Sequence, residues 1–203
     1  MLSVFAATSF NTSWPWYVIR ASGLAAVGLL ILIMLSGIGM VTGLTYRFLE
    51  PLKAWSIHRA MAIAMSILAI MHVMFLLVDS FAKYKLLDVL VPFRVQFENS
   101  QVLGHSVGSF YNALGIVALY MLPFIILSSL FFIESKKKLW EWLHYLSYPF
   151  MLLVYFHTLL LGTDFKHGWL RTVWLVFGIV LVLLTITRLA RVGSLKKGPE
   201  PLS

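Results

Sequence analysis

The sequence predicts an all-α integral membrane protein, a single domain (1–203) built as a bundle of about five transmembrane helices. Of its 203 residues, 60% are hydrophobic and only 12% are charged, and the mean hydropathy is +0.88. Soluble domains have about 25% charged residues, so a soluble fold is excluded. Five apolar segments are each long enough to cross about 30 Å of hydrocarbon, which takes about 20 helical residues.

The first predicted helix covers residues 17–45. In it, 26 uncharged residues separate Arg20 from Arg47. Small residues let neighbouring helices approach closely, and this segment is rich in them: Gly23, Gly28, Gly37, Gly39 and Gly43. We therefore expect the first helix to pack tightly against another helix.

The other four predicted helices cover residues 56–79, 107–133, 139–161 and 169–190. The longest connection, about 80–106, contains KYKLLDVLVPF and is expected to lie along the membrane surface. Neither a Gly-x-Gly-x-x-Gly fingerprint nor a soluble flavin or nicotinamide domain is found in the sequence. The sequence has no cysteine, which excludes disulfides, iron–sulfur clusters and thiol chemistry.

The distribution of Lys and Arg predicts the orientation. One side of the membrane has ten: Arg47, Lys53, Arg59, Lys136, Lys137, Lys138, Arg188, Arg191, Lys196 and Lys197. The other side has five: Lys83, Lys85, Arg94, Lys166 and Arg171. Because the richer side is usually cytoplasmic, the N-terminus is predicted outside and the C-terminus inside. Topology thus explains the net charge of +8, and no nucleic-acid partner is expected.

Four of the six histidines lie in predicted helices and form two pairs. His58 and His72 are fourteen residues apart in the second helix, and His144 and His157 are thirteen apart in the fourth. At about 1.5 Å per residue, each pair spans roughly 20 Å. These two helices are predicted to run parallel. His58 and His144 therefore share a level near the cytoplasmic face, and His72 and His157 share one near the outer face.

Ionisable residues inside a membrane are costly and usually functional. Two levels this far apart cannot form one tetrahedral zinc site, whose ligands lie about 2.1 Å from the ion. Two facing imidazoles at each of two depths suit two haems, with both histidines of a level bound to one haem iron. Since the sequence has no CxxCH motif, these haems would be non-covalent, b-type. The alternative is a scatter of polar residues satisfied by neighbouring helices.

The two pairs differ in the angle between their histidines around the helix axis. Fourteen residues return a helix to within roughly 40° of the same face, whereas thirteen leave His157 roughly 140° from His144. Pro149 lies between these two histidines, removes a backbone hydrogen bond and clashes with the carbonyl of Tyr145. We therefore expect a distortion there, which either re-aims the two ligands or is an incidental kink of the kind that membrane helices tolerate.

Two stretches, HRAMAIAMSILAIMH and WEWLHYLSYPFMLLVYFHTLLLGTD, resemble the ferric reductase-like transmembrane domain family. This superfamily includes ferric reductases, NADPH oxidases and the haem-binding membrane subunit of the bacterial methionine sulfoxide reductase system. The 14-then-13 histidine spacing is the specific feature. The similarity extends to WYVIRASGLAA, DVLVPF and GTD, and so covers nearly the whole chain.

The resemblance implies that His58, His72, His144 and His157 ligate two stacked b-type haems, and that Phe150 lies between the haems. The chain departs from the family pattern in two ways. It lacks the flavin and nicotinamide domains of the reductases and oxidases, and it shows five predicted spans where many members have six.

Other polar residues give weaker signals. Arg20 and Arg59 are candidate partners for haem propionates at the outer and inner levels, because a guanidinium pairs with a carboxylate through two hydrogen bonds. The alternative for each is snorkelling to the interface. His105, Asp164 and His167 lie near the predicted outer face. We favour solvated loop positions for these three over a metal site or a docking site.

The leading functional hypothesis is a diheme electron-transfer protein of a cell membrane, and we expect this to be a bacterial plasma membrane. A separate flavoprotein, which would supply any flavin, or a membrane quinol would donate electrons. Ferric iron, oxygen or a partner reductase at the outer face would accept them. The alternative is a non-redox protein that uses its histidines in proton or metal transport or in haem handling. No residue is assigned a catalytic role.

Overall fold

Long helices dominate the computed structural model, which describes residues 3–80, 83–95, 100–102 and 105–196. The side chains of 3–13, 100–102, 105–108 and 188–196 lie outside this description. The elements in chain order are α1 (Ser3–Thr42), α2 (Pro51–Val78), α3 (Leu86–Leu90), β1 (Ser100–Val102), β2 (His105–Gly108), α4 (Phe110–Phe131), α5 (Lys137–His144), α6 (Ser147–Leu161) and α7 (Trp169–Lys196). Short 3-10 turns cover Thr45–Arg47 and Thr163–Phe165.

The predicted all-α membrane fold is confirmed. Within the described ranges, four helices are long and apolar enough to cross a membrane: Trp14–Thr42, Pro51–Val78, Phe110–Phe131 and Trp169–Thr187. The first of them ends where Gly43 takes a φ of +77°, a left-handed conformation that commonly stops a helix. The chain is therefore a multi-pass membrane protein.

The fourth predicted span is broken into two helices, α5 and α6, which are separated by Tyr145 and Leu146. Pro149 has no N–H to donate to the carbonyl of Tyr145 four residues back. The N–H of Tyr148 donates to that carbonyl instead, at 3.2 Å, which tightens the turn. Because α6 has only 15 residues, fewer than the roughly 20 that a crossing needs, a crossing here requires both helices.

The core lies where α1, α4, α6 and α7 meet, around Leu30, Met151 and Trp174. The second helix packs along α1 and, among the described residues, contributes only Met65 to the buried part of this core. Space therefore remains between α2 and the pair formed by α4 and α6, and the candidate site lies there.

The connection between α2 and α4 contains α3 and an antiparallel hairpin formed by β1 and β2. Asp88 accepts hydrogen bonds from the backbone N–H of Lys85 at 2.9 Å and from Nε of Arg94 at 3.0 Å. The hydrogen bond from the Lys85 amide is the main cause that lowers the pKa of Asp88, and the Arg94 guanidinium lowers it further. Leu86 and Phe93 are 61% and 54% exposed, which favours the predicted position along a membrane surface.

Candidate functional site in two histidine-lined cavities

Two cavities lie between α1, α2, α4 and the helices α5 and α6, and each is lined by one of the predicted histidine pairs. His72 and His157 line the first, of about 270 Å³, which we call the His72 cavity. His58 and His144 line the second, of about 540 Å³, which we call the His58 cavity. Cofactor pockets commonly measure about 300–1,000 Å³. The structure thus brings together the two histidines of each predicted level.

The two rings of the His58 cavity face each other at a distance that suits a shared metal. The ring centroids of His58 and His144 are 6.5 Å apart. A metal–imidazole bond of about 2.1 Å, with the ring centre roughly 1 Å further on, would place two such centres about 6 Å apart. One metal atom bound by both rings therefore fits the observed separation.

Backbone carbonyls determine the protonation of the histidines in the His72 cavity. The Nδ1 of His72 lies 2.9 Å from the carbonyl oxygen of Ile19, and the Nδ1 of His157 lies 2.9 Å from that of Tyr111. A carbonyl only accepts hydrogen bonds, so each Nδ1 carries the proton and each neutral ring has its lone pair on Nε2. Both rings therefore have the tautomer needed for metal ligation through Nε2.

A serine hydroxyl has the same effect on His58. The Nδ1 of His58 lies 2.8 Å from Oγ of Ser36. That hydroxyl donates its one hydrogen to the carbonyl of Ile33 at 2.9 Å, so it accepts from Nδ1–H of the ring. We infer the tautomer with its lone pair on Nε2 for His58 as well.

His144 repeats this arrangement with a weaker contact. Its Nδ1 lies 3.3 Å from Oγ of Ser129, which donates to the carbonyl of Ile125 at 2.9 Å. Nε1 of Trp140 also donates to Oγ of Ser129, at 3.1 Å, and the Trp140 ring stacks on His144 at 5.3 Å. Hydrogen bonds of this kind orient the metal-ligating histidines of other proteins and raise their basicity.

Three histidine rings occupy space that only glycine leaves open. A Cβ built on Gly23 would lie 3.0 Å from Nδ1 of His72, and one on Gly37 would lie 3.3 Å from Cε1 of His58. On Gly115 it would lie 2.6 Å from Cε1 of His157. We call these three residues the glycine seats, because each lets a neighbouring helix hold an imidazole ring close to its backbone.

Each cavity offers its metal two protein ligands. Across the part of the chain that the structure describes, no group of three or more His, Cys, Asp or Glu side chains is placed to hold a metal ion. A structural zinc site needs about four such ligands, whereas a porphyrin supplies the equatorial ligands of its own iron. The donor set of each cavity therefore fits a haem.

Phe150 lies between the two cavities. It is buried, with 6% of its surface exposed, and it lines both of them. Leu30, Met65 and Leu122 also line both. The wall between the two histidine levels is therefore apolar, and Phe150 is part of it; its place between two haems stays a prediction.

The two candidate arginines have different surroundings. Arg20 forms an ion pair with Asp164, with Nε to Oδ2 at 3.1 Å, and both residues line the His72 cavity. Asp164 is thus not the solvated loop residue that we favoured, because its side chain is only 17% exposed and is paired. Arg59 lines the His58 cavity, and its guanidinium lies 5.4 Å from the centre of the Trp55 ring.

The remaining sequence candidates are not among the described residues that line the cavities. His167 is exposed beyond the turn that follows α6. The backbone of His105 belongs to β2, and its side chain lies outside the described residues. The side chains of four cations that are predicted on the cytoplasmic side also lie outside them: Arg188, Arg191, Lys196 and Lys197.

The sequence analysis missed the residues that hold the histidines. Ser36 and Ser129 gave no signal, because serines in membrane helices are common and usually bond their own helix. Asn112 was also missed, although it is only 8% exposed and lines the His72 cavity. One signal was available: Gly23 and Gly37 are fourteen residues apart, as are His58 and His72, which suits pairing between antiparallel helices.

Comparison with protein families shows a match over most of the chain. The family model described as "Ferric reductase like transmembrane component" matches residues 22–155, about two thirds of the chain. The match includes three of the four cavity histidines and ends two residues before His157. No curated protein and no solved structure matches the chain.

Proposed function

The chain belongs to the family of ferric reductase-like transmembrane components, and on this premise we propose that it transfers electrons across a membrane with two b-type haems. One observation carries the proposal: four imidazoles are paired across two cavities. The Nδ1 of each imidazole is within hydrogen-bonding distance of a backbone carbonyl or a serine hydroxyl on a neighbouring helix. Because the proton of each ring is on Nδ1, each Nε2 has a free lone pair with which it can bind a metal.

In this proposal His58 and His144 hold one haem iron, and His72 and His157 hold the other. Each haem would supply an iron that accepts and releases a single electron. The chain contributes rigid ligands, because every ring is fixed by a hydrogen bond on its far side. The apolar wall around Phe150 keeps water out of the space between the two levels.

The direction of transfer follows from the predicted orientation. With the Lys-rich and Arg-rich side in the cytoplasm, the His58 cavity lies nearer the donor and the His72 cavity nearer the outer face. The donor is a cytoplasmic flavoprotein or a membrane quinol. The acceptor at the outer face is ferric iron, oxygen or a partner reductase. The membrane in question is the bacterial plasma membrane.

The test is a reduced-minus-oxidised spectrum of the purified full-length protein, with haem quantified per chain after expression in haem-replete cells. We expect about two b-type haems per chain. His72→Ala and His157→Ala should each remove the same haem, and His58→Ala and His144→Ala should each remove the other. His167→Ala, which changes an exposed histidine outside the cavities, is the control and should retain both.

The absence of a Soret band in the wild-type protein would contradict the proposal. It would favour a non-redox role for the histidines, in proton or metal transport. A spectrum with haem that cannot be reoxidised by an acceptor on the opposite side of a vesicle would instead indicate a haem-handling protein. If each single histidine variant kept both haems, the proposed ligand pairs would be wrong.

A further inference from the structure

The segment of α1 beside His72 combines three features within five residues. The carbonyl of Ile19 accepts the hydrogen bond from His72, the next residue, Arg20, lines the same cavity, and Gly23 is the seat of the His72 ring. Along the helix, a carbonyl that accepts from the imidazole is followed by a side-chain hydrogen-bond donor and then by a glycine that leaves space for the ring.

The segment of α4 beside His157 repeats this order with the same spacing. The carbonyl of Tyr111 accepts from His157, the next residue, Asn112, lines the cavity, and Gly115 is the seat of the His157 ring. The sequences are IRASG in α1 and YNALG in α4. Asn112 thus stands in the position on α4 that Arg20 has on α1.

Asn112 has an unused hydrogen-bond donor. Its side chain is 8% exposed, and its Oδ1 accepts from the hydroxyl of Tyr84 at 3.4 Å. Its Nδ2 is buried and has no hydrogen-bond partner among the described residues. An unsatisfied buried donor carries a substantial free-energy cost, so a partner for Nδ2 is expected from a molecule in the His72 cavity.

We propose that Asn112 is a carboxylate-binding residue of the His72 cavity, and that its Nδ2 donates to one propionate of the bound haem while Arg20 donates to the other. This inference rests on the proposed function. Haem carries two propionates on one edge, and the repeated segments place one donor beside each ligating histidine. The Arg20 guanidinium has five N–H donors, so it can keep Asp164 and still bind a propionate.

The polar lining of the cavity supports this placement. Tyr84 from the α2–α4 connection and Asp164 from the turn after α6 line the cavity together with Arg20 and Asn112. The opposite end is closed by the apolar wall at Phe150. The carboxylate edge of a bound haem would therefore point away from Phe150, toward the end at which these polar side chains lie.

The experiment compares two ligands that differ only at the propionates. Haem b and its dimethyl ester are titrated into the full-length haem-free protein, and affinity is read from the Soret band. Wild type should favour the free acid. In Asn112→Leu this preference should fall about tenfold, equivalent to about 1.4 kcal/mol, because one charge-assisted hydrogen bond is lost. The His58 cavity is unchanged, so the difference reports on the His72 cavity.

Two further variants complete the test. Asn112→Asp keeps the shape of the side chain but places a negative charge beside the propionate, so it should shift the preference toward the ester. It also serves as a second variant should Asn112→Leu fail to fold. Thr158→Val is the matched control, because Thr158 is 7% exposed and lines the same cavity, and it should keep the wild-type preference.

The outcomes separate this inference from the proposed function. If wild type binds neither ligand, the haem proposal itself fails. If wild type binds haem b at both levels and both Asn112 variants keep the wild-type preference, the assignment of Asn112 is overturned while the haem proposal stands. If Thr158→Val lowers the preference as much as Asn112→Leu does, the effect is one of packing, and the assignment is again overturned.

Discussion

Two adjacent serines of α4 differ in their contacts with α5. Oγ of Ser128 and Oγ of Ser129 both donate to the carbonyl of Ile125, at 3.0 Å and 2.9 Å. Among the described residues, only Ser129 also accepts hydrogen bonds from α5, one from Nδ1 of His144 and one from Nε1 of Trp140. Comparing this pair of residues isolates what the contacts with α5 contribute to the His144 ring, because the two side chains have the same chemistry and the same backbone partner.

We therefore predict that Ser129→Ala raises the midpoint potential of the haem in the His58 cavity. Loss of the acceptor lowers the basicity of His144, and a less basic ligand stabilises ferric iron less. The shift should be of the order of 60 mV or less, since a one-electron couple moves about 59 mV for each tenfold change. A redox titration followed in the Soret band measures it.

Ser128→Ala is the control for this prediction and should leave both potentials unchanged. Equal shifts in the two variants would show that the hydroxyl acts through helix packing and not through His144. A change of potential in the other haem alone would contradict the prediction as well.

At the scale of single residues, the sequence was informative about the histidines and silent about their partners. An imidazole in an apolar helix stands out because its burial is costly. The partners of His72 and His157 are backbone carbonyls, which every residue has, so no residue type marks them. Nothing in the local sequence separates Ser129 from Ser128, because the difference depends on where α5 lies.

The shape of the His58 cavity depends on the break between α5 and α6. His144 is the last residue of α5, and His157 lies well inside α6. In one continuous helix these two side chains would point about 140° apart. The break allows each of them to face a histidine of the unbroken helix α2.

Pro149→Ala should therefore reduce the haem content from about two to about one per chain. The alanine restores an N–H that can donate to Tyr145 and extend α6 backward, which rotates His144 away from His58. Haem per chain, measured as a pyridine haemochrome, tests this expectation.

Pro123→Ala is the matched control, because Pro123 lies inside α4, which carries no ligating histidine. It should keep both haems. Retention of both haems with an unchanged spectrum in Pro149→Ala would identify the proline as an incidental kink.

At the scale of elements, helical length and hydropathy predicted where helices lie, but not where one of them breaks. Pro149 predicted a distortion in this part of the chain, and its role as the cause stays a prediction. The break itself lies upstream, at Tyr145 and Leu146, because a proline disturbs the carbonyl four residues before it. The period of hydrophobic residues carries no such information in α6, which is apolar on most of its faces.

For the molecule as a whole, the orientation remains a prediction that the chain makes easy to test. The sequence has no cysteine, so single cysteines can be introduced without first removing native ones. Lys137 and Lys166 are both exposed and are predicted on opposite sides. In intact cells, a membrane-impermeant maleimide should label Lys166→Cys and leave Lys137→Cys unlabelled.

After permeabilisation both cysteines should react, which controls for their accessibility. The reverse pattern in intact cells would invert the orientation, and with it the assignment of the His58 cavity to the donor side. Labelling of both variants in intact cells would rule out a unique orientation.

The global arrangement was only partly predictable. Apolar length is sufficient to predict a helical membrane fold, and histidine spacing predicted which side chains meet. The position of α2 at the edge of the core was not predictable, because a helix that is apolar all round gives no sign of which face meets lipid and which meets protein. The cavities exist because of that position.

The glycine seats on α1 also determine which changes of length the chain tolerates. Gly23 and Gly37 receive two rings of the antiparallel α2, so the count of residues between them must equal the count between His58 and His72. One inserted residue between the glycines would turn one seat by about 100° and detach its ring. The turn after Gly43 lies outside this interval, so insertions there leave both seats aligned. Length variation in relatives of this chain should therefore accumulate in that turn and spare the helices on either side.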